Sequence, residues 1–221
     1  MPAASTGKTA ASPLLILDTS AAGVALGLEQ GPRFRRASIA RSAKHDEAIW
    51  RLLDRLLGKC GAKLADVGAV AAARGPGRFT GVRVGLTFAT MLSQTLGIPA
   101  VGVSLMDCLA ASCLPLLKDG ERLLTLTPAI REEVYFQVFP GGEPGWTKLA
   151  GLADAAGGGP FAVAGGPAES AAPLLGARVV RTTSPTLQEL AALAKIELGR
   201  PDAAATLSPM YLKPATYQAA K

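Results

Sequence analysis

Apolar residues recur along the chain with two different periods, and the change of period separates strands from helices. Leu14-Leu-Ile-Leu-Asp18 is a short apolar run closed by an acid, followed by turn residues from Thr19 to Gly23 and a second run from Val24 to Leu28. Two such runs around a turn predict a hairpin. Gln30-Gly31-Pro32 punctuates again, and Arg33 to Ile39 alternates as a third, more exposed strand. The period then lengthens: Ile49, Leu52, Leu53, Leu56 and Leu57 recur at helical spacing from about Lys44 to Leu57, with Gly58 as the expected stop. A strand at Val67 to Ala73, a glycine-rich loop, a helix at about Thr80 to Leu96, a strand at Ala100 to Val103 and a helix from Leu105 to about Leu117 follow.

Hairpin-linked strands pair antiparallel, whereas strands separated by helices need right-handed crossovers and pair parallel. The predicted product is an α/β mixed sheet with helices on its faces, as in ribonuclease-H-like folds. From Arg122 the pattern partly restarts, with strands at Leu123 to Leu126, Val134 to Phe139, Phe161 to Ala164 and Ala177 to Val180. Gly141 to Gly145 and Gly157 to Pro160 are expected loops. A last helix is expected with Ser184 as N-cap, Pro185 in the first turn, an apolar stripe of Leu187, Leu190, Ala191, Ala194 and Leu198, and Gly199 as the stop. The expected organisation is a tail at 1–13, an N-terminal ribonuclease-H-like lobe at 14–106 and a C-terminal lobe of related topology at 107–221.

Length and composition narrow the class. A chain of 221 residues that is 49% hydrophobic and 18% charged can bury a real core and is not intrinsically disordered. No apolar run reaches the ~18 residues of a spanning helix, which predicts no membrane association, and the Ala/Ser/Thr/Pro-rich start lacks the apolar core of a secretory signal, which predicts a cytoplasmic protein. Cys60, Cys108 and Cys113 have neither the number nor the spacing of a disulfide framework or zinc site and are expected to be small buried hydrophobes. Charge is concentrated: between Gly31 and Lys63 nine basic residues face three acidic ones, which accounts for the whole formal net charge of +6. Such a window suits a nucleic acid, an acidic protein surface or an ordinary solvated face.

Two strand ends could carry chemistry. Asp18-Thr19-Ser20 closes the first strand, and Arg74-Gly75-Pro76-Gly77-Arg78-Phe79-Thr80-Gly81-Val82-Arg83 joins the fourth strand to a helix. Glycines between a strand and a helix N-terminus admit either an anion held by amide hydrogens or a tight structural turn. The spacing is neither the dinucleotide fingerprint nor a Walker loop, and Gly7-Lys8-Thr9 lacks the glycine and the strand that a Walker loop requires. The candidate anion or nucleotide residues are Asp18, Thr19, Gly75, Gly77, Thr80 and Gly81. Metal chemistry is not expected, because His45 is the single histidine, its i+4 neighbour is Ile49, and no HExxH pair exists.

Leu-Asp-Thr-Ser at 17–20, Gly-Pro-Gly-Arg-Phe-Thr-Gly-Val-Arg-Val-Gly at 75–85, Gly-Val-Ser at 102–104, Glu-Val-Tyr at 133–135 and Tyr-Leu-Lys at 211–213 resemble the TsaB (YeaZ) family. The resemblance covers about residues 14 to 213 in order. It implies a two-lobed actin-like ATPase (ASKHA) architecture. It also implies a role in threonylcarbamoyl transfer to adenosine 37 of tRNAs reading codons that begin with A, as partner of the catalytic paralogue TsaD together with the ATPase TsaE. The paralogue is recognised by a metal-binding His-xxx-His pair that this chain lacks. Two departures stand out: Arg78 replaces the usual serine of the glycine loop, and Pro128-Ala129-Ile130 replaces the usual Asp-Ala-Arg.

These readings imply a non-catalytic subunit that binds and activates TsaD, with no intrinsic cofactor, ATP or ADP bound only in the complex, and tRNA reached through the complex. The helix at 80–96 is apolar nearly all round, so one side is expected to join the preceding helix in an exposed partner surface of Ile49, Trp50, Leu53, Val84, Phe88 and Met91, which would also support a homodimer when TsaD is absent. The alternative is an actin-like-fold ATP-dependent phosphotransferase or ATPase using the Gly75 to Gly81 loop, with Asp18 at a magnesium-bound water. It needs a second-lobe acid, and Pro128 removes the obvious one.

Overall fold

The computed structural model describes residues 12–41 and 45–213; the expected tail and Gly7-Lys8-Thr9 lie essentially outside the described residues, and the side chain of His45 does as well. The described chain forms, in order, β1 (Leu14–Asp18), β2 (Val24–Gln30), β3 (Arg33–Ile39), α1 (His45–Cys60), β4 (Ala69–Gly75), α2 (Phe79–Leu96), β5 (Ala100–Ser104) and α3 (Leu105–Cys113). It continues with β6 (Arg122–Pro128), β7 (Glu133–Phe139), β8 (Gly145–Lys148), α4 (Leu152–Ala156), β9 (Phe161–Gly165), α5 (Ala168–Leu175), β10 (Arg178–Arg181) and α6 (Leu187–Leu198). One sheet has the order β3-β2-β1-β4-β5 and the other β8-β7-β6-β9-β10. In each, the first three strands pair antiparallel and the last two lie parallel to the first. This is the ribonuclease-H-like, actin-like order, made twice.

The chain divides into two compact units. The first contains the described residues through Cys108 together with Pro185–Pro209, and the second contains Leu109–Ser184 and the described residues from Met210. The expectation that everything after residue 106 belongs to the second lobe is therefore corrected. Leu190, Ala191 and Ala194 of α6 pack with Leu14, Ile16, Ala71, Val101 and Val103, covering the face of the first sheet opposite α1 and α2. A sheet in which both faces are apolar needs two helical layers, and α6 supplies much of the second, with Leu105 and Cys108 of α3 beside it. The helix starts two residues later than expected: Thr186, not Ser184, caps it by accepting from the Glu189 amide, and the Glu189 carboxylate accepts in return from the Thr186 amide.

The other face of the first sheet carries its main core. Leu15, Leu17, Val24, Leu26 and Leu28 meet Ile49, Leu52, Leu53 and Leu56 of α1 and Val82, Leu86, Phe88, Ala89 and Leu92 of α2. Each large side chain buried in this way stabilises the fold by roughly 1.5–3 kcal/mol. Gly58 does not stop α1, since a helix tolerates an exposed glycine; the chain turns at Gly61, whose φ is 62°. In the second unit, β8 begins at the end of a stretch expected to be a loop, and α4 and α5 lie where no element is expected. Gly145 opens β8, where a side chain would overlap the Phe136 ring, so glycine there is compatible with pairing. Cys108 and Cys113 are buried as expected and Cys60 partly so.

Candidate functional site

The end of β1 and the loop after β4 form one structure. The Asp18 carboxylate accepts from the Ser20 amide at 2.9 Å and the Ser20 hydroxyl at 2.6 Å, closing a local turn. That turn presents Thr19, which is buried, and its hydroxyl donates to Gly81 O at 2.7 Å across 62 residues of sequence. The Arg78 amide donates to Ser20 O at 2.7 Å. A Cβ on Gly77 would lie 2.6 Å from Ser20 O, and one on Gly81 would overlap Thr19 O. Gly75 closes β4 with φ 103°, a conformation L side chains rarely adopt.

Asp18, Thr19, Gly77 and Gly81 are thus brought together, with Gly75 beside them and Thr80 exposed on the first turn of α2. The Cβ positions of Gly77 and Gly81 are filled by the backbone carbonyl oxygens of Ser20 and Thr19, so only glycine fits this close approach. Between the two readings of this loop, the arrangement favours the tight structural turn. Among the described residues there is also no group of three or more His, Cys, Asp or Glu side chains able to hold a metal ion.

The expected partner surface needs correcting. Ile49, Leu53 and Phe88 are core residues, with Ile49 and Leu53 directed onto the sheet and Phe88 93% covered. Ile49 and Leu53 share the apolar stripe of α1 with Leu52 and Leu56, which marks them as core, whereas for Phe88 periodicity does not decide, because α2 is apolar on nearly every side. What remains accessible is Trp50 at 44% and Met91 at 37%, with Val84 half-buried. The Trp50 ring meets Phe88 edge-on at 4.8 Å between centroids. Val84, Phe88 and Met91 follow i, i+4, i+7 and so share one stripe of α2 beside Trp50. Farther toward the start of α2, the exposed Phe79 ring carries the Arg83 guanidinium 4.2 Å from its centroid.

One cluster was not anticipated. Lys213 Nζ donates to both oxygens of Glu133, at 2.8 and 2.6 Å, and stands 5.2 Å from the centroid of the Trp146 ring. Burial pushes the nearby Tyr135 phenol above its ordinary range, with Lys213 opposing and Glu133 adding to the shift. The Glu-Val-Tyr and Tyr-Leu-Lys segments had been singled out separately, but nothing in their spacing indicated that they meet. Arg78 is exposed at the N-cap position of α2 without a side-chain cap bond, so the residue that departs from the family's serine makes no capping contribution.

Residues 39–142 match the family model for TsaD, tRNA N6-adenosine threonylcarbamoyltransferase. The tRNA threonylcarbamoyladenosine biosynthesis protein TsaB of Haemophilus influenzae is 36% identical over 125 residues, 56% of this chain and 52% of that protein. The Escherichia coli protein of the same name is 34% identical over 103 residues, 46% of this chain and 44% of that protein. The chain spans about half the length of these curated relatives. YeaZ from Pseudomonas aeruginosa is similar in structure with a TM-score of 0.70 and 26% identity, covering 91% of this chain and all of that one. The chain is similar in sequence and in fold to the TsaB (YeaZ) family.

Two TsaB-like segments, Leu-Asp-Thr-Ser and the glycine loop, are therefore the two halves of the Asp18–Gly81 packing, and two others are joined by the Lys213–Glu133 pair. Pro128-Ala129-Ile130, where the TsaB pattern usually has Asp-Ala-Arg, leads into the β6–β7 hairpin, whose tip holds Arg131 and Glu132 at φ 54° and 60°. Among the described residues, no helix is long and apolar enough to cross a membrane.

Proposed function

We propose that this chain is a non-catalytic subunit that binds and activates TsaD for threonylcarbamoyl transfer to adenosine 37 of tRNA. The observation that carries the reading is the accessible apolar stripe of Trp50 and Met91 over the buried Phe88 ring, flanked by Val84 on the rigid α1–α2 pair. An apolar centre with an aromatic anchor is what a protein partner can desolvate productively. The same stripe would pair two copies of the chain when TsaD is absent. TsaE completes the assembly, tRNA is reached through the complex, and the work takes place in the cytoplasm.

The site chemistry supports an accessory role. The chain has one histidine, and the interior faces of the glycine loop are occupied by Thr19 and Ser20. In this reading the chain has no cofactor of its own, and ATP or ADP binds only in the assembled complex. The phosphotransferase alternative needs a second-lobe acid, and Pro128 stands where the family pattern has one. The test is a reconstitution with unmodified tRNA, ATP and the threonylcarbamoyl donor. The expected result is modified adenosine only when TsaD and TsaE accompany this chain. Modification by this chain alone, or by TsaD and TsaE at full rate without it, overturns the proposal.

A further inference from the structure

Five of the nine basic residues between Gly31 and Lys63 lie along one strip of the first unit. β3 is an edge strand, with Ala37 and Ile39 packed into the core beneath α1 and Phe34 into the cluster on the opposite sheet face. Strand alternation therefore puts Arg33 and Arg35, both exposed, on the α1 side of that edge. Helix α1 packs over β2 and β3 through Ala48, Ile49, Leu52, Leu53, Leu56 and Leu57. One of its flanks carries Trp50 against Phe88 and so faces α2. Arg51, Arg55 and Lys59 recur every four residues, all exposed, and at ~100° per residue they fall on the other flank, turned away from α2 toward the β3 edge. Asp54 projects from the outer side of the helix between the two flanks.

Four cations elsewhere in the protein are matched by carboxylates. Lys195, Arg200, Arg178 and Lys213 each meet a carboxylate within 2.8 Å. None of the salt bridges formed among the described residues involves Arg33, Arg35, Arg51, Arg55 or Lys59; Arg35 donates to the Phe34 carbonyl at 3.3 Å. Charges on an edge strand deter sheet-to-sheet pairing, but that does not account for three more on the adjoining helix flank. The strip contains no aromatic residue and no large apolar centre, so it is poorly suited to a protein interface. A row of cations about 6 Å apart along a helix suits a repeating phosphate chain, which is bound through charge without apolar burial.

We infer that the β3–α1 strip of Arg33, Arg35, Arg51, Arg55 and Lys59 binds the phosphate backbone of an RNA directly. The contact positions the RNA without reading its bases. It is separate from the Trp50–Met91 stripe, so it stands or falls independently of the partner reading. The test is the anisotropy of fluorescently labelled tRNA titrated with the chain alone at several salt concentrations. Arg51→Gln/Arg55→Gln/Lys59→Gln is expected to weaken binding more than tenfold, roughly, at low salt and to flatten the plot of log K against log salt by about 3. Arg33→Gln/Arg35→Gln, on a different element, is expected to flatten it by about 2. Arg51→Lys/Arg55→Lys should bind nearly as well as wild type, and Arg131→Gln/Lys148→Gln in the second unit should change nothing. Unchanged affinity and slope in both Gln variants overturn the inference. So does binding of polyglutamate, or of phosphatidylserine-containing vesicles, as tightly as tRNA at the same salt.

Discussion

The two sheets share one strand order and one crossover geometry, and they diverge where the crossovers meet the strands. β4 and β9 occupy equivalent places and each ends in a glycine of unusual conformation, Gly75 at φ 103° and Gly165 at φ 118°. In the first unit that glycine opens a loop packed against Thr19 and Ser20, leading into α2 of 18 residues. In the second it leads into α5 of 8 residues, interrupted by Pro173. The helix after the third strand is 16 residues long in the first unit, whereas its counterpart α4 has 5. A repeated fold thus carries long helices in one copy and short ones in the other.

The sharpest contrast separates core from surface within the long helices. Leu53→Glu places a charge among fully buried side chains and should cost about 4 kcal/mol or more, unfolding the first unit in thermal circular dichroism. Met91→Glu, on the accessible stripe, should leave the melting temperature within a few degrees. If Leu53→Glu folds normally, the assignment of α1 to the core is wrong.

The next contrast compares the crossover loops. Gly81→Ala drives a Cβ into the Thr19 carbonyl, which is held in place by the Asp18 turn, and should destabilise by about 2–3 kcal/mol. Gly166→Ala, whose Cβ would meet only Pro128 at 3.7 Å, should cost less than about 1 kcal/mol. Equal losses in urea denaturation would show that the two loops are not differently packed.

Much of this division is legible in the sequence and some is not. The three-strand meander and the two helices of the first unit follow from alternation and i, i+3, i+4 spacing, which report local burial. In α2 that same signal misleads. Phe88 and Met91 are both apolar on an apolar helix, and it is tertiary packing, into the core and against Trp50, that covers Phe88 and leaves Met91 accessible. The second unit is less legible because its β8, α4 and α5 are short and glycine- or proline-marked, so loop signals outweigh periodicity. The return of α6 to the first sheet is a tertiary choice that residue order does not carry. Thr19 was placed at the site by its motif, but its bond to Gly81 spans 62 residues and required the fold.

A smaller effect is expected at the β6–β7 hairpin. Arg131 and Glu132 occupy the left-handed region, as the two central residues of a type I′ turn must, without the Asn-Gly chemistry that suits it. Arg131→Asn/Glu132→Gly should stabilise the protein by about 1 kcal/mol in the same denaturation assay. Destabilisation would mean that these side chains hold contacts worth more than the turn geometry.

The smallest effect is electrostatic and confined to the second unit. Two hydrogen bonds from Arg178, at 2.6 and 3.0 Å, together with the Lys118 amide, lower the Glu121 carboxyl from 4.5 to about 2. A depressed folded value means that the ion pair contributes fully above the unfolded value of about 4.5 and is lost as pH falls through about 2. The stability difference between wild type and Arg178→Gln should therefore be constant from neutral pH down to about 4.5 and shrink toward pH 2. A difference independent of pH throughout that range would remove the pair from the account.

The central claim is that the long-helix unit serves a partner through the Trp50–Met91 stripe, and calorimetric titration of the chain into its cognate TsaD tests it most directly. The predicted result is saturable binding by wild type and, for a Met91→Glu protein with unchanged circular dichroism, affinity lowered by roughly two orders of magnitude or more. No binding by the folded wild-type chain, or equal binding by Met91→Glu, would contradict it.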